Sequence, residues 1–195
     1  MNPRQSLPGT VLGLALLMLP AATPLPAQAE PEVRKPARKV TQAEILRGRY
    51  LVSTSGCMDC HTPFKMGPKG AEPDLSRLYS GHPQELKMPA PPALPEGPWL
   101  VVSSGTNTAW AGPWGVSFTA NLTPDPETGL GRWSEADFIA TIRTGRHLGR
   151  GREILPPMPI PVYSQLNDKD LKAIFAYLQS IPPIRNKVPD PIPPR

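Results

Sequence analysis

Cys57-Met58-Asp59-Cys60-His61 holds the only two cysteines of this 195-residue chain and places a histidine directly after the second. C-x-x-C-H is the attachment signature for c-type haem. Both thiols add to porphyrin vinyl groups, and the adjacent histidine is thereby presented to the iron. Three other chemistries use paired cysteines. A thioredoxin-like dithiol needs a βαβ context, whereas here a helical pattern precedes the motif and a proline-rich stretch follows it. A structural disulfide suits an exported chain but leaves His61 unexplained. A zinc site needs four ligands, and no second pair of the right kind stands at a typical spacing. A single motif predicts a single haem c.

Upstream of the motif, Thr41-Gln-Ala-Glu44 has the spacing of a capping box. Ile45, Leu46, Tyr50 and Leu51 follow at helical intervals, so a first helix is expected to run to about Ser53 and deliver the chain into Cys57. Downstream, Ser134-Glu-Ala-Asp137 opens a second helix carrying Phe138, Ile139 and Ile142, with Gly145 placed to end it. A third helix starts near Asn167, has Asp168 and Asp170 in its first turn, and presents Leu171, Ile174, Phe175 and Leu178. Pro182 and Pro183 stop it.

Proline is the compositional outlier, at 29 residues. It clusters at 31–36, 89–98, 156–161 and 182–194, stretches that helix interiors and central strands exclude because proline lacks the backbone donor. Between residues 62 and 121 helical periodicity is nearly absent. Residues 99–103 and 115–119 read as two short strands, and the whole stretch reads as an ordered insertion over the core. Residues 30–40 and 186–195 read as extended tails. No internal repeat is present.

Residues 41–64 and about 117–183 resemble the class I cytochrome c family: an N-terminal helix, C-x-x-C-H, a methionine in a proline-flanked loop, and a C-terminal helix. The resemblance implies an all-α fold, with crossing N- and C-terminal helices around one covalent haem, interrupted by a Pro-rich insertion (about 62–120) that includes a short β-hairpin. It covers a domain at 41–183 followed by a Pro-rich tail at 184–195. In that family the two terminal helices pack together, so Gly48, Tyr50 and Leu51 are expected to meet Leu171, Ile174, Tyr177 and Leu178, with Gly48 permitting close backbone approach.

His61 is the first axial ligand. For the second, Met58 is locked between the attached cysteines and Met66 lies five residues from His61 on the wrong side of the ring, which leaves Met88 and Met158. Met158 lies in Leu155-Pro-Pro-Met-Pro159, just before the last helix, where the family places its ligand. A proline-stiffened loop loses little entropy when a weak thioether binds. Met88, His82 and His147 remain as alternatives, with both histidines read as surface residues. The site set is Cys57, Cys60, His61 and Met158, the last two on the metal.

Arg143, Arg146, Arg150 and Arg152 suit a haem propionate, an acidic docking partner or a solvated loop. Trp133 and Tyr177 read as pocket lining, propionate donors or plain core. Asn121-Leu-Thr123 matches a glycosylation sequon but reads more simply as a turn before Pro124.

Arg4, the apolar run at 11–19 and Ala27-Gln28-Ala29 have the form of a secretory signal peptide spanning 1–29. The run is about half of the roughly 20 residues that a membrane-crossing helix needs. The expected mature chain is periplasmic with no transmembrane span. Loss of Arg4 lowers the formal net charge from +5 to +4, mildly basic and without the interleaved basic and aromatic residues of a nucleic-acid surface. With no convergent acid, base or nucleophile, the expected role is electron transfer and not catalysis. A periplasmic dehydrogenase or reductase would be the donor, and an oxidase or other acceptor would follow. The rivals are a permanent haem subunit of a dehydrogenase and a haem enzyme or gas sensor with an open sixth position.

Overall fold

The computed structural model describes residues 39–94 and 96–194. The signal peptide expected at 1–29 and nearly all of the tail expected at 30–40 lie outside these residues. Helix α1, Gln42–Thr54, begins at the anticipated capping box. Glu44 N–H donates to Thr41 Oγ1 at 3.2 Å, and Thr41 N–H donates back to Glu44 Oε2 at 2.9 Å. A left-handed Gly56 turns the chain into α2, Cys57–His61. Helix α3, Glu135–Thr144, runs from a second capping box at Ser134 and Asp137 to left-handed Gly145. A short α4, Ile160–Tyr163, precedes α5, Asp168–Leu178, which Asn167 caps by accepting from Asp170 N–H.

These helices enclose the core. Leu51 and Val52 from α1, Phe138 and Ile142 from α3, and Leu171, Ile174, Phe175 and Leu178 from α5 form one buried cluster with Tyr79 and Leu130. The Phe138 and Phe175 rings pack 5.3 Å apart. The face that α1 presents differs from the sequence expectation: Gly48, Leu51 and Val52 are buried, whereas Leu46 and Tyr50 are 54% and 59% exposed. Tyr50 instead lies under the Arg47 guanidinium. Gly48 marks the contact with α5, since a Cβ there would sit 1.9 Å from the Ala173 carbonyl oxygen. Backbone cannot yield as a side chain tip can. Gly48→Ala is therefore expected to cost about 1–3 kcal/mol, and Gly48→Leu more, read as a fall in melting temperature.

Contrary to the all-α expectation, the fold contains strands as well as helices. Two small antiparallel sheets occupy the stretch between α2 and α3. Strands β1, Phe64–Gly67, and β2, Gly70–Pro73, form a hairpin with Phe64 opposite Pro73. Strands β3, Val102–Ser103, β4, Ala109–Gly112, and β5, Gly115–Phe118, form a sheet in that order. Of the two strands expected, 115–119 is present as β5, paired with β4, and 99–103 only at its end as β3, with Trp99 and Leu100 72% and 62% exposed. Strands of two to four residues are too short to show alternation, and Lys65 and Met66 at the centre of β1 are both exposed. The 156–161 stretch also holds more structure than its prolines suggest. Pro161 stands in the first turn of α4, where the missing N–H has no helical acceptor to lose.

The segment after α5 is extended but docked. Ile192 exchanges two backbone hydrogen bonds with Val116, at 2.8 and 2.9 Å, and so covers the free edge of β5. Asn186 is 1% exposed. Its Nδ2 donates to the Ser80 and His82 carbonyls at 2.7 and 2.9 Å, and its Oδ1 accepts from Gln84 N–H at 2.9 Å. Asn121, 4% exposed, donates to the Ile184 carbonyl at 2.8 Å and accepts from Thr123, so its side chain is inside the protein and serves the turn, as expected. Asn186→Leu would leave the two buried Ser80 and His82 carbonyls without this partner. At 1–3 kcal/mol for each orphaned group, it should destabilise by roughly 2 kcal/mol or more, measured by denaturant unfolding.

Candidate functional site

Helix α2 begins as Gly56 adopts φ 70°, a conformation open to glycine that lets the chain leave α1 and re-enter a helical turn at once. Positions three apart share a side of a helix, so Cys57 and Cys60 face the same way, with His61 at the end of that turn. The two thiols are unbridged and half-buried. Burial pushes the Cys57 thiol up to about 11, and burial followed by the charge of Asp59 raises Cys60. A dithiol built for exchange has the opposite character, because its attacking thiol is held low.

Two segments hold α2 from the far side. Tyr79 N–H donates to Thr62 Oγ1 at 3.0 Å, and Gly81 N–H to the His61 carbonyl at 2.8 Å. His82 N–H reaches the Thr119 carbonyl at 3.0 Å and Leu122 N–H the Tyr79 carbonyl at 2.9 Å, joining 79–82 to 119–122. Gly81 is required at this crossing: its φ is 77°, and a Cβ would meet the Thr119 oxygen at 2.4 Å. Asn107 adds a tie from the β3–β4 loop, donating to the Asp59 carbonyl at 2.8 Å.

His61 is 9% exposed, and its Nδ1 lies 2.7 Å from the Ala120 carbonyl oxygen. A carbonyl only accepts, so Nδ1 carries the proton and Nε2 keeps its lone pair. Burial lowers the imidazole pKa and favours the neutral ring. A neutral histidine whose Nδ1–H is anchored on a backbone carbonyl is the form that ligates a metal through Nε2. Among the described residues no group of three or more His, Cys, Asp and Glu side chains is placed to hold a metal ion, so the four-ligand cage of a zinc site is missing. Ser80 Oγ and Thr119 Oγ1, each next to a residue that holds His61, are buried without hydrogen-bond partners. The donor set fits covalent haem: two neutral thiols on one helical turn and one neutral imidazole whose Nε2 keeps its lone pair.

Met158 is half-buried and packs on the cluster that also receives Cys57 and Met58. Its loop is pinned by Ser117 Oγ donating to the Pro156 carbonyl at 2.6 Å and by Ile160 N–H donating to the Met158 carbonyl at 2.9 Å. Met66 is 80% exposed on β1. Met88 is half-buried in the insertion and is absent from the side chains packed on that cluster.

His82 is not a surface residue, contrary to the sequence reading: it is fully buried, with Nδ1 2.9 Å from Thr108 Oγ1 and Nε2 3.1 Å from the Leu86 carbonyl. Both nitrogens are thus committed within the protein. His147 is partly buried and stands edge-on to Trp133, ring centroids 5.1 Å apart, and Trp133 packs on the core. Tyr177 meets Tyr79 edge-on at 6.4 Å. Arg143 is engaged by Asp168 at 2.6 Å and by the Ser164 carbonyl, while Arg146, Arg150 and Arg152 are exposed.

No family model matches this chain. It is 31% identical over 180 residues to a subunit of the nicotinate dehydrogenase of Pseudomonas putida, covering 92% of this chain and 12% of the relative. It is 29% identical over 157 residues to the cytochrome c subunit of the quinone-type alcohol dehydrogenase of Gluconobacter oxydans, covering 79% of this chain and 25% of the relative. It is 26% identical over 175 residues to a diheme c-type cytochrome of Cereibacter sphaeroides, covering 88% of this chain and 47% of the relative. The chain is a relative of cytochrome c proteins. It spans less than half the length of each of these three. For this cytochrome c relative, the residues around the motif that sequence reading missed are Ala120 and Asn107. Ala120 acts through its backbone carbonyl and Asn107 through a side-chain amide that donates to the Asp59 carbonyl. Neither contact leaves a trace in the spacing of side chains.

Proposed function

We propose that this chain is a periplasmic electron-transfer protein that carries one haem c on Cys57 and Cys60, with His61 and Met158 as axial ligands, and works with a dehydrogenase. The observation that carries the reading is His61 itself: neutral, buried, oriented by the Ala120 carbonyl at 2.7 Å and open at Nε2, one residue from a cysteine pair that shares its helical turn. A haem held there supplies one-electron chemistry at its iron.

Each residue then has a defined task. The thiols anchor the ring covalently, so the group cannot dissociate in an extracytoplasmic space. Ala120 fixes the imidazole plane and raises its basicity as a ligand. Met158 supplies a soft thioether, which favours the reduced metal and raises the potential. The surrounding Leu, Ile and Phe side chains keep water away. No acid, base or nucleophile is needed, and the role is that of a carrier and not of a catalyst. Relatives named as cytochrome c subunits of a quinone-type alcohol dehydrogenase and a gluconate 2-dehydrogenase, and as the cytochrome subunit of a fructose dehydrogenase, support a dehydrogenase as electron donor. Among the described residues no helix is long and apolar enough to cross a membrane.

The test is an optical and mass-spectrometric examination of the exported protein. One covalently added haem per chain, a low-spin reduced spectrum and the weak long-wavelength ferric band of methionine ligation are expected. A mass without added haem would overturn the reading.

A further inference from the structure

Tyr163 joins two parts of the chain that lie 108 residues apart. Its Oη–H donates to the backbone carbonyl of Ser55. Ser55 is the C-cap of α1 and stands two residues ahead of Cys57. At its other end Tyr163 closes α4, the short helix that opens two residues after Met158. The intervening backbone has little slack. Ile160 N–H bonds the Met158 carbonyl at 2.9 Å, Val162 and Tyr163 N–H both bond the Pro159 carbonyl, at 3.0 and 3.2 Å, and two of the four residues between Met158 and Tyr163 are proline. A displacement of the Tyr163 ring therefore passes to Met158. The ring itself is half-buried and packs against the same cluster as Cys57 and Met158.

The other ties of this loop lead elsewhere. Ser117 holds Pro156 from β5, and Arg143 holds the Ser164 carbonyl from α3. The Tyr163 bond reaches the junction of α1 and α2, directly beside the attachment motif.

We infer that Tyr163 is a positioning residue for the sixth iron ligand: its hydrogen bond to Ser55 straps the Met158 loop to the α1–α2 junction, two residues ahead of Cys57. The inference rests on Met158 being that ligand. A thioether is a weak donor, so its occupancy depends on how often the loop swings away, and a bond made only in the closed arrangement shifts that equilibrium directly. The typical net strength of one hydrogen bond corresponds to a shift of roughly two- to tenfold.

Tyr163→Phe keeps the ring and removes the donor. In the haem-loaded full-length protein, the ferrous form should bind carbon monoxide roughly two- to tenfold faster than wild type. The long-wavelength ferric band should vanish at a lower temperature than in wild type, with the global unfolding midpoint little changed. Tyr50→Phe, on the exposed face of α1, should match wild type in both measurements. A methionine-ligated wild type whose Tyr163→Phe variant shows the same carbon monoxide rate and band stability overturns the strap alone. A wild type without the methionine band, whose iron is unaffected by Met158→Ala, overturns both the strap and the ligand assignment beneath it.

Discussion

A chain carrying Cys57→Ala together with Cys60→Ala is expected to be exported without covalent haem and to show no cooperative unfolding transition. Both attachment points sit on a single turn between α1 and α2, and the sequence offers no third cysteine. The half-buried Cys57 and Met58 are part of the packing around the core, so the attached group extends the very cluster that α1, α3 and α5 enclose. That cluster draws on three helices of 10 to 13 residues, joined by stretches rich in proline and glycine. Burial on this scale is small against an ordering cost of about 1–2 kcal/mol per residue of backbone. Either single change should reduce loading and leave one thioether. The measurements are covalent haem staining, intact mass and differential scanning calorimetry. A sharp calorimetric transition in haem-free double-variant protein would show that the helices hold together alone.

Met158→Ala is the second large effect. Attachment needs Cys57 and Cys60, so haem should remain, while the sixth position loses its thioether. The iron should become high-spin at neutral pH, carbon monoxide should bind readily, and the potential should fall by a sizeable share of the roughly 0.8 V that axial ligation spans. Pro157 and Pro159 are untouched, and the ties at Pro156 and Ile160 run through backbone atoms, so the loop keeps its frame. Met88→Ala serves as the comparison and should leave spectrum and potential as in wild type. If Met158→Ala stays low-spin and inert to carbon monoxide, the ligand lies elsewhere. His82 is then a poor candidate, since freeing either nitrogen would break a buried hydrogen bond to Thr108 or Leu86.

What can be read locally is the most legible part of the chain. Thr41 with Glu44 and Ser134 with Asp137 are capping boxes whose two members are three residues apart, so the helix starts follow from a handful of neighbouring atoms. Features that depend on distant partners are hidden. Helical spacing puts the apolar stripe of α1 on Leu46 and Tyr50, which are exposed, whereas Gly48, which carries no hydrophobic signal, is expected at the contact with α5 only from the family resemblance and does mark it. His82 reads as a surface residue because polar side chains usually are, and Asn186 as part of an extended tail. They are buried because their partners come from segments up to 109 residues away.

The same division separates chemistry from geometry at the site. By itself the sequence placed two thiols and an imidazole together, because C-x-x-C-H is completed within five residues of one helical turn. Tertiary structure alone decided which nitrogen of His61 is free, since the acceptor that sets the tautomer is the Ala120 carbonyl, 59 residues further on. It also decided that the Met158 loop is strapped to the attachment segment through Tyr163 and Ser55. Backbone carbonyls are the same at every position, so a sequence carries no mark of which one a side chain will find. Only the packing of the folded chain selects it.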